Sequence, residues 1–234
     1  MTRAGSGGGG VGGPQKKQRV KTARRRSSSS TRWLQRQLND PYVLAARKAG
    51  WRSRAAFKLI ELDDKVRMLR PGLRVLDLGA APGGWSQVAA QRVQSPAAAP
   101  LVVAVDLLEI DPIAGVAVLQ LDVDAEDAPA RITDALGGAA DLVLSDMAPS
   151  ATGHRGTDHL RIVALVESAV ALAYEVLAPG GGFIAKVWQG GATGELLADL
   201  KRRFATVKHV KPPASRQESA EIYLVALGFR ADVE

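Results

Sequence analysis

The stretch Asp77-Leu78-Gly79-Ala80-Ala81-Pro82-Gly83-Gly84-Trp85-Ser86 carries the densest chemical signal in this chain. Glycines at the end of a strand, where it turns into a helix, let backbone approach a ligand closely. The spacing departs from the dinucleotide fingerprint, because Pro82 interrupts the glycines. It favours a nucleoside with a non-phosphate tail over a pyrophosphate. Asp106 closes the second predicted strand, 22 residues after Gly84. An acid at about that separation commonly holds ribose hydroxyls. Asp122 closes the third predicted strand, where a carboxylate could contact an adenine. The plain alternative is a tight turn with surface acids, but acids on two successive strand ends make the ligand reading the stronger one.

A second signal is Lys186, inside the apolar run Ile184-Ala185-Lys186-Val187-Trp188. Its stem could snorkel to water or its ammonium pair with an acid. It could also act as a general base, which requires it to be neutral. The three histidines, His154, His159 and His209, lack a metal-ligand pattern, so no metal site is expected. With no cysteine in the chain, disulfides, thiolate metal sites and Cys nucleophiles are excluded.

The elements that must position these residues alternate. Strands are predicted at 74–78, 101–106, 116–121, 141–145, 182–187, 206–210 and 221–227, with helices at 86–93, 125–136, 158–177 and 195–204. Several strands are continuous apolar runs, as when both faces are covered. The pattern predicts a doubly wound α/β sheet with helices on both sides and ligands at the C-terminal strand ends. Before the sheet, Asp40-Pro41 reads as N-cap and N1 of a helix ending at Gly50. A second helix follows Ser53, and Pro71-Gly72 ends this part.

The 234 residues are 46% hydrophobic, enough for a core, with a formal charge of +7. That charge is divided: +8 over residues 1–30, +7 over 31–74 and −8 over 75–234. A basic arm on an acidic body suits a polyanion bound at one side. Residues 1–30 read as a flexible basic arm, with order beginning near Trp33. No apolar run is long enough to cross a membrane, and no apolar signal segment opens the chain, so a cytoplasmic protein is expected.

DLGAAPGGWSQ, SDMAPS, FIAKVWQG and SAEIYLVA together resemble the FtsJ/RlmE family of ribose 2′-O-methyltransferases. The likeness covers about residues 32–230. It implies a Rossmann-like methyltransferase fold, a seven-stranded, mostly parallel sheet with helices on both faces, and S-adenosylmethionine as methyl donor. The family's Lys–Asp–Lys–Glu tetrad falls on Lys58, Asp146, Lys186 and Glu221. Its donor contacts fall on Gly83, Trp85, Asp106, Asp122 and Asp146. Bacterial members methylate a uridine ribose in the A-loop of 23S rRNA. The resemblance thus implies an rRNA partner within the assembled large subunit and a monomer without a membrane role. The basic arm is longer than the family pattern needs.

In such a reaction the ribose 2′-oxygen attacks a methyl group on a sulfonium, so the protein orients the reactants and removes one proton. Lys186 is the base the resemblance implies. Lys58 is the cation that would lower its pKa, and Asp146 and Glu221 act the other way; the sequence leaves that balance open. Ser150 stands where enzymes that methylate base nitrogens often carry an aromatic, which favours a sugar acceptor. RNA contact is expected from the arm and first helices, with Trp33, Trp51 and Phe57 as stacking surfaces, Phe57 more readily a packing residue. One domain is expected over 31–234, with helices at 31–72 and the core at 73–230. Two alternatives are a tRNA ribose methyltransferase of the same family and a non-enzymatic ribosome-assembly module.

Overall fold

The computed structural model describes residues 28–149, 155–189 and 194–231. The arm expected over residues 1–30 therefore falls outside the described residues up to 27. Helix α1 runs Ser28–Asn39, so the residues just ahead of Trp33 are already helical. A run of Ser suits a helix start, and Leu34 and Leu38 stand one turn apart behind it. Helix α2 (Pro41–Ala49) is capped as the sequence predicts. Asp40 accepts from the Tyr42 N–H, and Gly50 ends the helix at φ 77°. Helix α3 (Ala55–Val66) buries Ala56, Leu59 and Leu62.

The sheet has seven strands in the order β3-β2-β1-β4-β5-β7-β6. They are β1 (Val75–Leu78), β2 (Val102–Asp106), β3 (Val116–Gln120), β4 (Ala140–Ser145), β5 (Leu177–Trp188), β6 (Phe204–Val210) and β7 (Glu221–Phe229). The first five run parallel, while β7 lies antiparallel between β5 and β6. Strand order reverses between β1 and β4, so their C-terminal ends form the switch-point crevice.

Side chains alternate across the strands and feed two cores. Val75, Val102, Ala104, Leu142, Leu144 and Ile184 pack with α3 and α4 (Gly84–Val93). Leu76, Leu78, Val103, Val105, Val143 and Phe183 pack on the other face. Their partners there are α5 (Ala128–Leu136), α6 (Arg155–Val176) and α7 (Gly194–Arg203). Each fully buried Leu or Ile contributes about 1.5–3 kcal/mol. Two covered faces explain why the central strands read as unbroken apolar runs. Among the described residues no helix is long and apolar enough to cross a membrane.

Candidate active site

Three strand ends and one helix bring the tetrad together. Asp146 follows β4 directly, and its N–H donates to the Leu78 carbonyl, beside the glycine turn after β1. Lys186 lies two residues before the end of β5. Because β7 runs antiparallel, its first residue, Glu221, sits opposite Trp188 at the same sheet edge. Lys58 comes from the middle of α3, which packs over that edge.

The four residues form two ion pairs. Lys186 Nζ lies 3.1 Å from Asp146 Oδ1 and donates to the Asp146 carbonyl at 2.6 Å. Lys58 Nζ lies 2.8 and 3.0 Å from the two oxygens of Glu221. Tyr223, fully buried, joins them: its hydroxyl donates to Asp146 Oδ1 at 2.9 Å and lies 3.4 Å from Glu221 Oε1. Ser215 Oγ donates to the same Glu221 oxygen at 2.8 Å. Lys58 is thus held by Glu221, and Lys186 by Asp146. With two bonds to Asp146, Lys186 keeps one of its three donor positions for a ligand.

The electrostatics follow from this packing. Burial pushes the Asp146 carboxyl up, but Lys186, Lys58 and the Tyr223 hydroxyl outweigh it and leave it below the usual range. Burial, then the carboxylates of Asp146 and Glu221, hold the Tyr223 phenol well above its ordinary value. It therefore stays a hydrogen-bond donor at neutral pH. The sequence reading did not single out Tyr223, which the structure places at the centre of the cluster. Its signal was there: two residues after Glu221 on one strand, it must share that residue's face.

The glycine turn lies against this cluster. Gly79 has φ 70°, and a Cβ there would come within 2.6 Å of Met147 Cγ. Gly83, at φ 104°, precedes α4, and a Cβ on it would collide with Ile113. Asp106 braces the turn by accepting from the Ala81 N–H at 2.9 Å and from the Leu108 N–H at 2.9 Å. Arg52 staples it from outside, donating to the carbonyls of Pro82, Asp111 and Pro112 at 3.1, 2.7 and 2.7 Å. Asp122 is exposed, two residues beyond the observed end of β3 rather than on it. The Trp85 indole is turned inward, packed on Tyr223 at 5.5 Å and donating to the Ala55 carbonyl. Only its backbone N–H, in the first turn of α4, remains for a ligand. Below the turn, Asp77 is fully buried and accepts from Ser86 Oγ at 2.6 Å.

Of the predicted stacking residues, Phe57 packs on Tyr42 at 5.4 Å. Trp51 is half-buried at the turn into α3. The Trp33 side chain, Ser150 and His154 lie outside the description. No cluster of metal-ligating residues occurs among the described residues.

Residues 51–229 match the model of the FtsJ-like methyltransferases. The chain belongs to that family. The FtsJ-like domain accounts for the whole sheet and for α3, leaving α1 and α2 ahead of it. Among curated relatives is "Ribosomal RNA large subunit methyltransferase E" of Xanthobacter autotrophicus, 63% identical over 205 residues, 88% of this chain and 81% of that one. The protein of the same name from Bradyrhizobium diazoefficiens is 63% identical over 201 residues, covering 86% and 88%. A crystal structure of a protein assigned as a ribosomal RNA methyltransferase, from Plasmodium falciparum, superposes with a TM-score of 0.67 at 31% identity. It covers 76% of this FtsJ-like chain and 98% of its own.

Proposed function

We propose that this chain transfers a methyl group from S-adenosylmethionine to the 2′-oxygen of a uridine ribose in the A-loop of 23S rRNA. The residues at the sheet edge fit that donor. At Gly79 and Gly83 the turn takes positive φ angles, which hold the chain in a tight bend at the C-terminal end of β1. Asp77 Oδ1, buried beneath it, has no hydrogen-bond partner among the described residues. Asp106 and Asp122 offer carboxylates to hydroxyl and amino groups of a nucleoside, Gly83 and the Trp85 amide line the turn, and Asp146 closes it. When bound, S-adenosylmethionine supplies a methyl group already attached to its leaving group.

The chain's own work is then orientation and proton removal. Lys186, when neutral, accepts the proton of the 2′-hydroxyl. Asp146 fixes Lys186 through its carboxylate and its carbonyl, and Tyr223 fixes Asp146. Lys58 and Glu221, held as an ion pair, complete the floor for the ribose. Alignment of this kind is the main source of rate in a displacement whose electrophile is already activated.

The observation that carries this reading is the pair of Lys–carboxylate bridges, joined through the Tyr223 hydroxyl, beside the glycine turn at the switch point. The relatives' names favour rRNA over tRNA, and the complete tetrad favours an enzyme over an assembly module. Residues 31–234 act as one domain in this reading, and the basic residues of the first third contact phosphates without reading sequence.

Mapping 2′-O-methyl sites in rRNA and tRNA from cells with and without the protein tests the substrate. A site lost in tRNA alone overturns the rRNA assignment. Lys186→Ala is expected to abolish transfer while donor affinity stays within a few-fold. Turnover within tenfold of the parent, about 1.4 kcal/mol in barrier, removes Lys186 from the role of base.

A further inference from the structure

A groove of about 560 Å³ opens between α1, α2 and the 51–54 turn and ends on Pro82 of the glycine turn. Leu34, Leu38, Val43, Trp51 and Pro82 give it apolar walls, three arginines line it, and no carboxylate does. Two of those arginines have committed head groups. Arg52 holds the three carbonyls described above, and Arg54 pairs with Asp40 at 3.0 Å. Arg47 is exposed on α2 with no ion pair among the described residues. The groove thus combines an apolar slot with one uncommitted cation at its rim.

Its position limits what can fill it. Arg54 caps the start of α3 and Lys58 follows four residues later, one helical turn or about 6 Å on. The groove therefore opens within one nucleotide's reach of the tetrad, on the part of the chain that carries +7 over residues 31–74. Unpaired RNA presents this chemistry: a planar base with an apolar face and, joined to it, an anionic phosphate. The first 27 residues are a poor occupant, since Met1, Val11 and Val20 are their only large apolar side chains.

We propose that this groove is a nucleobase pocket that takes an unpaired base flanking the methylated nucleotide, with Arg47 on its phosphate. The proposal rests on the RNA methyltransferase reading above. It adds a second anchoring point, which fixes the register of the strand so that one ribose alone reaches Lys186.

Leu38→Glu puts a carboxylate in the groove without weakening helix propensity. The probe is a synthetic RNA loop of the target sequence, together with a set in which each base in turn is replaced by an abasic unit. Affinities are read by fluorescence anisotropy. One abasic position is expected to weaken binding to the parent by about five- to 150-fold, the range of base–aromatic stacking. The same substitution should leave binding to Leu38→Glu unchanged, because the pocket is already lost. Equal affinity of parent and Leu38→Glu, or an equal loss for both proteins at every abasic position, overturns the proposal. So does tighter RNA binding after removal of residues 1–27, which would make that segment the occupant. A dimer that Leu38→Glu dissolves would likewise make a second copy the occupant. Leu34→Gln repeats the test if Leu38→Glu melts early by circular dichroism. Loss of methyl transfer by the parent on every RNA would sink the enzyme reading and leave this coupling measurable.

Discussion

The stability of Asp77→Asn relative to the parent is expected to rise with pH. The Asp77 carboxyl is fully buried beneath the glycine turn. Burial pushes its pKa up to about 7, against the hydrogen bond from Ser86 and with help from the charges of Asp146 and Asp106. In the unfolded chain the same group titrates near ~3.9. Its folded value is therefore the higher one, so folding favours the protonated form. Below about pH 4 both states are protonated and nothing is lost. Between about pH 4 and 7 the unfolded chain releases its proton first, and stability falls as pH rises. Above about pH 7 the full penalty stands. About 3 pH units at about 1.4 kcal/mol each give an upper bound of about 4 kcal/mol. Asparagine cannot ionise, and its amide oxygen still accepts from Ser86 Oγ. The stability of Asp77→Asn minus that of the parent should therefore be smallest at pH 4, rise through pH 5 and 6, and level off above pH 7. Urea unfolding of both proteins at each pH measures it, with the slopes required to agree. A gap that stays constant from pH 4 to 8, or that shrinks as pH rises, would refute the argument that a buried, proton-retaining carboxyl underlies the turn.

Three other outcomes follow from the same geometry. Tyr223→Phe removes the hydroxyl between Asp146 and Glu221. A bond to a charged group is worth about 1.5–3 kcal/mol, so kcat should fall about ten- to 100-fold with donor affinity little changed. An unaltered kcat in a single-turnover methyl-transfer assay would make Tyr223 a packing residue only. Asp106→Ala should weaken S-adenosylmethionine binding at least about tenfold by calorimetry, through lost hydroxyl bonds and a loosened turn; unchanged affinity would place the donor elsewhere. Removing residues 1–27, which hold eight cations and no acid, should leave the melting temperature unchanged. If the arm engages about four phosphates, the slope of log affinity against log salt falls in magnitude by about three to four; identical slopes would separate the arm from RNA.

Local signals in the sequence determined much of this protein. Asp40-Pro41 and Gly50 bracket α2 because a cap needs only its own neighbours. The central strands β1, β2 and β4 were legible because burial on both faces demands unbroken apolar runs. The glycine turn and Asp106 were legible because strand ends and spacing are one-dimensional facts. The first turns of α1 were not: four serines in a row offer several equivalent N-caps, and the apolar residues that fix the helix, Leu34 and Leu38, come only after Trp33. The partners within the tetrad were not legible either. Lys58 and Glu221 are 163 residues apart, and Asp146 and Tyr223 are 77. Which lysine meets which carboxylate depends on β7 running antiparallel beside β5. That direction places Glu221 at the sheet edge where the other strands end, and Tyr223 beside Lys186. Strand direction is set by pairing across the whole sheet, a contact between distant segments that no window of sequence contains. Packing also decided that the Trp85 indole faces the core, because Tyr223 and the Ala55 carbonyl are there to receive it.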